Sequence, residues 1–136
     1  MDCVADTTFL IDVFRERSRP GPATRFANDH PNLAVGFPWI VRYGFLRGAY
    51  LSKQDPSPLI AFLDRHQTIY PDHETILEAC RLYTELRHAN RLIGPHDIWI
   101  AACALQFGLP LLTRNRAEFG RVGNLTILDY LPGKET

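Results

Sequence analysis

The sequence is short of cysteine, and the few cysteines that it has exclude two classes of protein. Cys3, Cys80 and Cys103 are odd in number and lie among apolar neighbours. They lack the CxxC spacing, and the pairing with histidine, that zinc sites show. The chain is therefore neither a disulfide-stapled secreted domain nor a zinc protein, and we predict reduced core cysteines in a cytoplasmic protein.

The sequence also lacks a long apolar run at its start. The segment MDCVADTTFLIDVF has no basic n-region and is interrupted by Asp2, Asp6 and Asp12. A signal peptide needs the basic region, and a membrane span needs about 18 or more uninterrupted apolar residues. We therefore expect no membrane partner. A glycine-rich phosphate loop and a G-x-S-x-G elbow are absent too, which disfavours a small-molecule α/β enzyme.

Lysine is the third shortage. Thirteen of the fifteen basic residues are arginine, and only Lys53 and Lys134 are lysine. Arginine favours planar, bidentate contacts to phosphate or carboxylate, whereas the net charge of +0 neither demands nor excludes nucleic acid. With 136 residues, 46% of them hydrophobic, the chain suits one domain over 1–136 with its core at about 3–131.

Apolar segments of strand and helix character alternate along the chain. The patterns predict strands at 3–5, 33–37, 68–70, 109–113 and 125–128, and helices at 8–16, 23–28, 38–53, 56–66, 72–87 and 95–107. Two strands are never joined by a hairpin signal, so we predict an α/β domain with a central, mainly parallel sheet flanked by helices. In helix 72–87, Ile76, Cys80 and Tyr83 recur at i, i+4 and i+7, which predicts the apolar side.

The stretch from Gly94 to Phe119 combines an acidic helix start with a polar strand end. Asp97 falls in the first turn of the helix, where the helix dipole favours a carboxylate by roughly 0.3 to 1 kcal/mol. A purely stabilising Asp97 is therefore one reading. The alternative is functional, because Thr113, Arg114, Asn115 and Glu118 follow the next strand, and open α/β sheets bind ligands at the carboxyl ends of strands.

Asp6 stands at another strand-to-helix junction. Its structural role would be to cap the helix, as Asp commonly does. In the predicted architecture, however, Asp6, Asp97 and the Asn115 region share one cleft. An oxygen-only set of ligands suits Mg²⁺ or Mn²⁺, which is bound by one or two carboxylates, water and phosphate oxygens. The chemistry that follows is metal-assisted phosphodiester hydrolysis.

Three short motifs in order along the chain resemble PIN-domain ribonucleases, in particular the VapC-type toxins of toxin-antitoxin pairs. They are VADTTFLIDVF, WIVRYGFLRGA and HDIWIAACALQFGLPLLTRNRAEF. The resemblance implies a PIN-like three-layer fold and an Mg²⁺-dependent endoribonuclease. It implies Asp6 and Asp97 as metal ligands, with Asn115 and Glu118 as supporting catalytic residues. It further implies an RNA substrate, a homodimer and a cognate antitoxin inserted near the cleft.

The chain departs from that family at two acidic positions. The family's E-x-x-x-G places a glutamate at position 44, where this chain has Gly44, and the fourth acidic position falls on Asn115. Gly44 could be a divergence for which Glu118 or Asp12 compensates, or could mark a PIN domain that binds RNA without cutting. It could also be a substitution selected because an active toxin harms its host, or could admit a closely packed helix.

Arg114 and Arg116 flank the predicted cleft. Both could bind RNA phosphates, and ordinary solvated charge is the alternative. A non-catalytic RNA-binding or regulatory PIN module therefore remains the rival to a ribonuclease.

Overall fold

A parallel sheet of five strands forms the centre of the fold. The computed structural model describes residues 1–131. The strand order is β3-β2-β1-β4-β5, and all four neighbouring pairs are parallel. The strands are β1 (Cys3–Ala5), β2 (Val35–Pro38), β3 (Gln67–Ile69), β4 (Leu111–Leu112) and β5 (Ile127–Leu128). The helices are α1 (Thr7–Arg15), α2 (Pro22–Asp29), α3 (Trp39–Leu51), α4 (Ser57–Leu63), α5 (His73–His88), α6 (Pro95–Phe107) and α7 (Arg116–Phe119).

Both faces of the sheet are covered, which confirms the predicted α/β class. Successive side chains of a strand point to opposite faces. Cys3, Val4 and Ala5 of the central strand are nevertheless all fully buried. Helix α6 is buried around most of its circumference, so its sequence is apolar at nearly every position. Within residues 1–131, no helix is both long enough and apolar enough to span a bilayer.

The switch point of this sheet lies between β1 and β4. The chain adds β2 and β3 on one side of β1 and then returns to place β4 and β5 on the other side. Sheets of this kind bind ligands in a crevice at the carboxyl ends of the strands beside the switch point. Helix α6 runs back against the sheet before β4, so the first turn of α6 reaches the same edge.

The structure corrects the prediction for the apolar side of α5. Ile76, Cys80 and Tyr83 are exposed, whereas Thr75, Ala79, Leu82 and Leu86 form the buried side. The helix has apolar residues on two sides, and the pattern alone does not say which of them meets α6. Cys80 is therefore not a core cysteine, although Cys3 and Cys103 are buried as predicted. The short helix α7 was not predicted, because four residues carry no helical period.

A polar cluster locks α6 against α5. Thr75 is fully buried and completes a capping box with Asp72, the N-cap residue of α5. The Thr75 hydroxyl donates a hydrogen bond to Oε1 of Gln106 at 2.6 Å. Nε2 of Gln106 in turn donates to the Asp72 carboxylate at 2.9 Å. Gln106 lies in the last turn of α6, so this cluster fixes the end of the helix that is opposite to Asp97.

Replacement of the buried hydroxyl tests this lock. We expect Thr75→Val to lower the free energy of unfolding by about 1–3 kcal/mol, because Asp72 N–H and Gln106 lose a buried partner. Thr84→Val is the matched control, since Thr84 lies on the same helix and its exposed hydroxyl binds, within residues 1–131, only Cys80 O. Equal urea midpoints for the two variants would contradict the proposed lock.

Candidate active site

Asp6 lies at the switch point and is nearly inaccessible, with 3% of its surface exposed. The register of β1 with β4 brings it beside Thr113, and its N–H donates to Leu112 O at 3.2 Å. Its Oδ1 accepts hydrogen bonds from the Thr8 hydroxyl at 2.6 Å and from Phe9 N at 3.2 Å. Its Oδ2 accepts one from the Thr113 hydroxyl. The carboxylate is thus held from two elements of the fold.

The bond from Phe9 N makes Asp6 the N-cap of α1, so the capping role is real. The capping bond does not occupy all of the hydrogen-bonding sites of the carboxylate. A carboxylate has about four lone-pair sites, and the described contacts occupy two on Oδ1 and one on Oδ2. Burial raises the pKa of Asp6, and the hydrogen bonds from Thr113 and Thr8 oppose that rise. One site on Oδ2 remains for a ligand.

The turn after β4 is folded around Asp6. Thr113 is fully buried, donates to Asp6 and accepts a hydrogen bond from Asn115 N at 2.9 Å. The N–H of Arg114 lies 3.5 Å from the Thr8 hydroxyl, which itself binds Asp6. Asn115 is the N-cap residue of α7, where its side chain makes no capping bond, so its amide is left for another contact.

Asp97 is half-buried in the first turn of α6. Burial, with a further contribution from the negative charges of Glu118 and Asp6, raises the pKa of Asp97 to about 6. Both effects disfavour the charged form. The Asp97 carboxylate therefore lies close enough to Asp6 and Glu118 for their charges to act on it.

Glu118 is a half-buried residue of α7 that binds the start of α6. Its Oε1 accepts a hydrogen bond from Gly94 N at 3.0 Å. This contact satisfies an N–H beside the helix that carries Asp97. Oε2 of Glu118 has no hydrogen-bond partner in residues 1–131. The negative charge of this side chain contributes to the raised pKa of Asp97.

The three central carboxylates have no basic partner in the described part of the chain. The ion pairs in residues 1–131 involve other acids, and two of them lie beside the crevice. Arg114 pairs with Asp12 at 2.9 Å, and Arg116 pairs with Asp129 at 3.4 Å. Arg114 and Arg116, which were predicted to flank the cleft, therefore pair with Asp12 and Asp129 and leave the three central carboxylates without a basic partner in residues 1–131.

No three acidic, histidine or cysteine side chains in residues 1–131 converge as a complete metal site. Two carboxylates with water and phosphate oxygens are sufficient for Mg²⁺, which rarely occupies an all-protein cage. Asp6 and Asp97 fit such an ion, because their oxygens are hard ligands and their mutual repulsion is relieved by a cation.

Gly44 lies on α3, and its surroundings exclude one of the explanations considered above. A Cβ at position 44 would meet nothing within 4 Å, and the same holds at Gly48. No helix approaches closely there, so the close-packing explanation is wrong. Gly44 instead borders an open cavity together with Ile11 and Phe14 of α1. A glutamate side chain has room at this position.

A doubly wound parallel sheet with uncompensated carboxylates at its switch point defines an α/β protein with an acidic cleft. The family model described as PIN domain matches residues 3–125. The chain therefore belongs to the PIN domain family, as its motifs indicated.

Relatives and solved structures agree with this assignment. Ribonuclease VapC1 of Methanocaldococcus jannaschii is 29% identical over 127 residues, covering 93% of this chain and 85% of the relative. The VapBC2 structure from Rickettsia felis, bound to a DNA fragment from its promoter, superposes with a TM-score of 0.82 and 25% identity, covering 96% and 99% of the two chains. VapBC-1 from nontypeable Haemophilus influenzae gives a TM-score of 0.78 and 28% identity, covering 96% and 98%.

The role of the hydroxyls that hold Asp6 was not predicted. Thr113 was considered only as part of a polar cluster at a strand end. A signal was available for Thr113, since the residue after a central strand of a parallel sheet lies beside the residue after its neighbour. That signal requires the strand order, which the sequence alone did not supply.

The raised pKa of Asp97 predicts a stability change of unusual sign. The folded state binds a proton more tightly than the unfolded chain, so the contribution of Asp97 to stability falls as pH rises from about 4 to about 6. Without divalent ions, we expect Asp97→Asn to raise the free energy of unfolding above pH 6 by about 1–2 kcal/mol. Urea unfolding from pH 4 to 7 measures both effects.

Glu74→Gln is the matched control, because Glu74 is an exposed first-turn acid of α5. Its loss should lower stability by about 0.3–1 kcal/mol through the helix dipole. If Asp97→Asn lowers stability in the same way, Asp97 is only a stabilising first-turn residue.

Proposed function

We propose that this chain is a divalent-metal-dependent endoribonuclease and the toxin of a toxin-antitoxin pair. The observation that carries the proposal is the pair formed by Asp6 and Asp97. Both are acidic side chains at the switch point of the sheet, Asp6 buried and Asp97 half-buried. Neither forms an ion pair within residues 1–131. Such an arrangement costs stability unless a cation is bound, as is common at functional sites.

Membership of the PIN domain family supports the activity, since the similar proteins are named ribonucleases and the similar structures contain VapBC complexes. We extend the proposal to an RNA substrate, a cognate antitoxin as protein partner, and a homodimer. The ion is Mg²⁺ or Mn²⁺, because the ligands are oxygen atoms alone.

The chain's own residues would act as follows. Asp6 and Asp97 hold the ion, which when bound supplies an activated water and neutralises charge on the scissile phosphate. Thr8 and Thr113 fix the orientation of the Asp6 carboxylate. Glu118, with Oε1 fixed by Gly94 N, would offer Oε2 as a hydrogen-bond acceptor near Asp97. Arg114 and Arg116 bind the RNA backbone, and the Asn115 amide contributes a polar contact.

Gly44 favours a second candidate, a PIN module that binds RNA without cutting it. The glutamate expected at this position would add a carboxylate to Asp6, Asp97 and Glu118, and its absence weakens the binding of a second ion or of the water. We propose that the chain retains the ribonuclease chemistry in a weakened form. A non-catalytic module should bind RNA and leave it intact.

Removal of Asp97 tests the metal and the activity together. We expect Asp97→Asn to abolish stabilisation by Mg²⁺ in thermal unfolding and to reduce RNA cleavage by about 100-fold or more, as loss of a metal ligand commonly does. Asp64→Asn, which breaks only the Arg42 surface pair, should change neither measurement. Mg²⁺ stabilisation that persists in Asp97→Asn would show that Asp97 is not a ligand.

Restoration of the acidic position tests the weakened activity. We expect Gly44→Glu to increase Mg²⁺-dependent cleavage of structured RNA by about tenfold or more, because the added carboxylate completes the acidic set. The open space at Gly44 admits the side chain, and the loss of a mid-helix glycine favours folding by up to about 1 kcal/mol.

Two variants control for charge and position. Gly44→Gln has the same shape without the charge, and Gly48→Glu places the same charge one turn further along α3, where space is equally open. Neither should increase cleavage. If Gly44→Glu leaves activity as low as these controls do, the missing carboxylate does not limit the activity. The hypothesis of a non-catalytic RNA-binding module is then favoured.

A further inference from the structure

Asp12, Tyr130 and Arg114 form a buried-to-exposed network beside the acidic cleft. Oδ2 of Asp12 accepts a hydrogen bond from the Tyr130 hydroxyl at 2.6 Å and pairs with Arg114 Nε at 2.9 Å. One carboxylate oxygen thus joins three distant parts of the chain: helix α1, the turn after β4 and the segment after β5.

The inner end of this network is rigid. Tyr130 is 6% exposed, and its ring packs edge-on against Phe9 with 5.2 Å between ring centroids. Burial raises the pKa of Tyr130, and the hydrogen bond to Asp12 raises it further, so the phenol stays a donor at neutral pH. The Asp12 carboxylate, 18% exposed, is therefore held by a fixed partner.

The outer end is open. The Arg114 side chain is 44% exposed, and its pair with Asp12 uses Nε. Within residues 1–131, neither terminal Nη nitrogen has a hydrogen-bond partner, so both can bind another ligand. A guanidinium whose Nε is held by a carboxylate loses much of its conformational freedom, and a planar pair of N–H donors suits a phosphate.

The backbone of Arg114 lies beside Asp6, one of the proposed metal ligands. Its N–H lies 3.5 Å from the Thr8 hydroxyl, which donates to Asp6 at 2.6 Å. Thr113, the residue before it, also donates to Asp6. The backbone of Arg114 is therefore fixed directly beside Asp6, and the side chain extends from that point to Asp12 at the rim of the crevice.

We propose that Asp12 and Tyr130 are positioning residues that hold the Arg114 guanidinium as a clamp for an RNA backbone phosphate next to the scissile one. The clamp rests on the proposed function, since it requires that RNA binds at the acidic cleft. Asp12 adds no positive charge of its own, so its part in the clamp is to place the two N–H donors of Arg114.

The sign of one substitution separates placement from simple charge. Asp12→Asn removes a negative charge beside the cleft, so general electrostatics alone would tighten RNA binding. If Asp12 positions Arg114, the same change should weaken binding by about threefold to tenfold, the loss that one well-placed charge-assisted hydrogen bond commonly brings. Tyr130→Phe keeps the ring and should weaken binding by about twofold, in the same direction.

The experiment measures fluorescence anisotropy of a labelled RNA stem-loop with Mg²⁺ over a salt series, with a gel to verify that the probe is intact. Arg114→Gln should lower the slope of log affinity against log salt by about 0.7 to 0.9, as expected for one phosphate contact. In that background, Asp12→Asn should have no further weakening effect, because its role passes through Arg114. Asp64→Asn, which frees Arg42 from a surface pair of similar length, should leave binding unchanged or tighter.

The outcomes separate this inference from the function on which it rests. If Asp12→Asn and Tyr130→Phe bind as Asp64→Asn does, or if Asp12→Asn weakens binding equally with and without Arg114, the clamp is overturned. Circular dichroism identifies a variant that is unfolded, and Tyr130→Phe then decides. A wild-type chain that binds no RNA would overturn the proposed function and the clamp together.

Discussion

The hydrogen bonds gathered on the buried carboxylate of Asp6 join the parts of the fold on which the site depends. The Thr113 hydroxyl comes from the end of β4, and the Thr8 hydroxyl and Phe9 N come from the start of α1. A buried polar group must find such partners or cost stability. The switch point of the sheet is therefore closed by the same side chain that is left with one lone-pair site for a ligand.

Charge is distributed unevenly around that point. Asp12 and Asp129 are paired with arginines, whereas Asp6, Asp97 and Glu118 have no basic partner in residues 1–131. The negative charges of Glu118 and Asp6 contribute to the raised pKa of Asp97. The arrangement is consistent with an inner cation and an outer binding surface for phosphates.

Much of this architecture could be predicted from the sequence, and the parts that could not share a physical cause. Asp6 and Asp97 were found because a strand-to-helix junction and a first helical turn are local patterns. The bond between Asp6 and Thr113 spans 107 residues, and that between Asp12 and Tyr130 spans 118, so neither leaves a local signal. The buried side of α5 was misjudged for the same reason, since only its packing on α6 distinguishes two apolar sides. The motifs identified the family, and the open surroundings of Gly44 required the structure.

The central claim is that the surroundings of Asp97 disfavour its charged form and that a divalent cation, when bound there, stabilises that form. The pKa of Asp97 can be followed directly by carbon-13 NMR of the side-chain carboxyl during a pH titration, with and without Mg²⁺. The structure predicts a pKa of about 6 without the ion and a marked fall when Mg²⁺ is present, because the cation favours the charged form. A pKa near the ordinary aspartate value that does not respond to Mg²⁺ would contradict the claim.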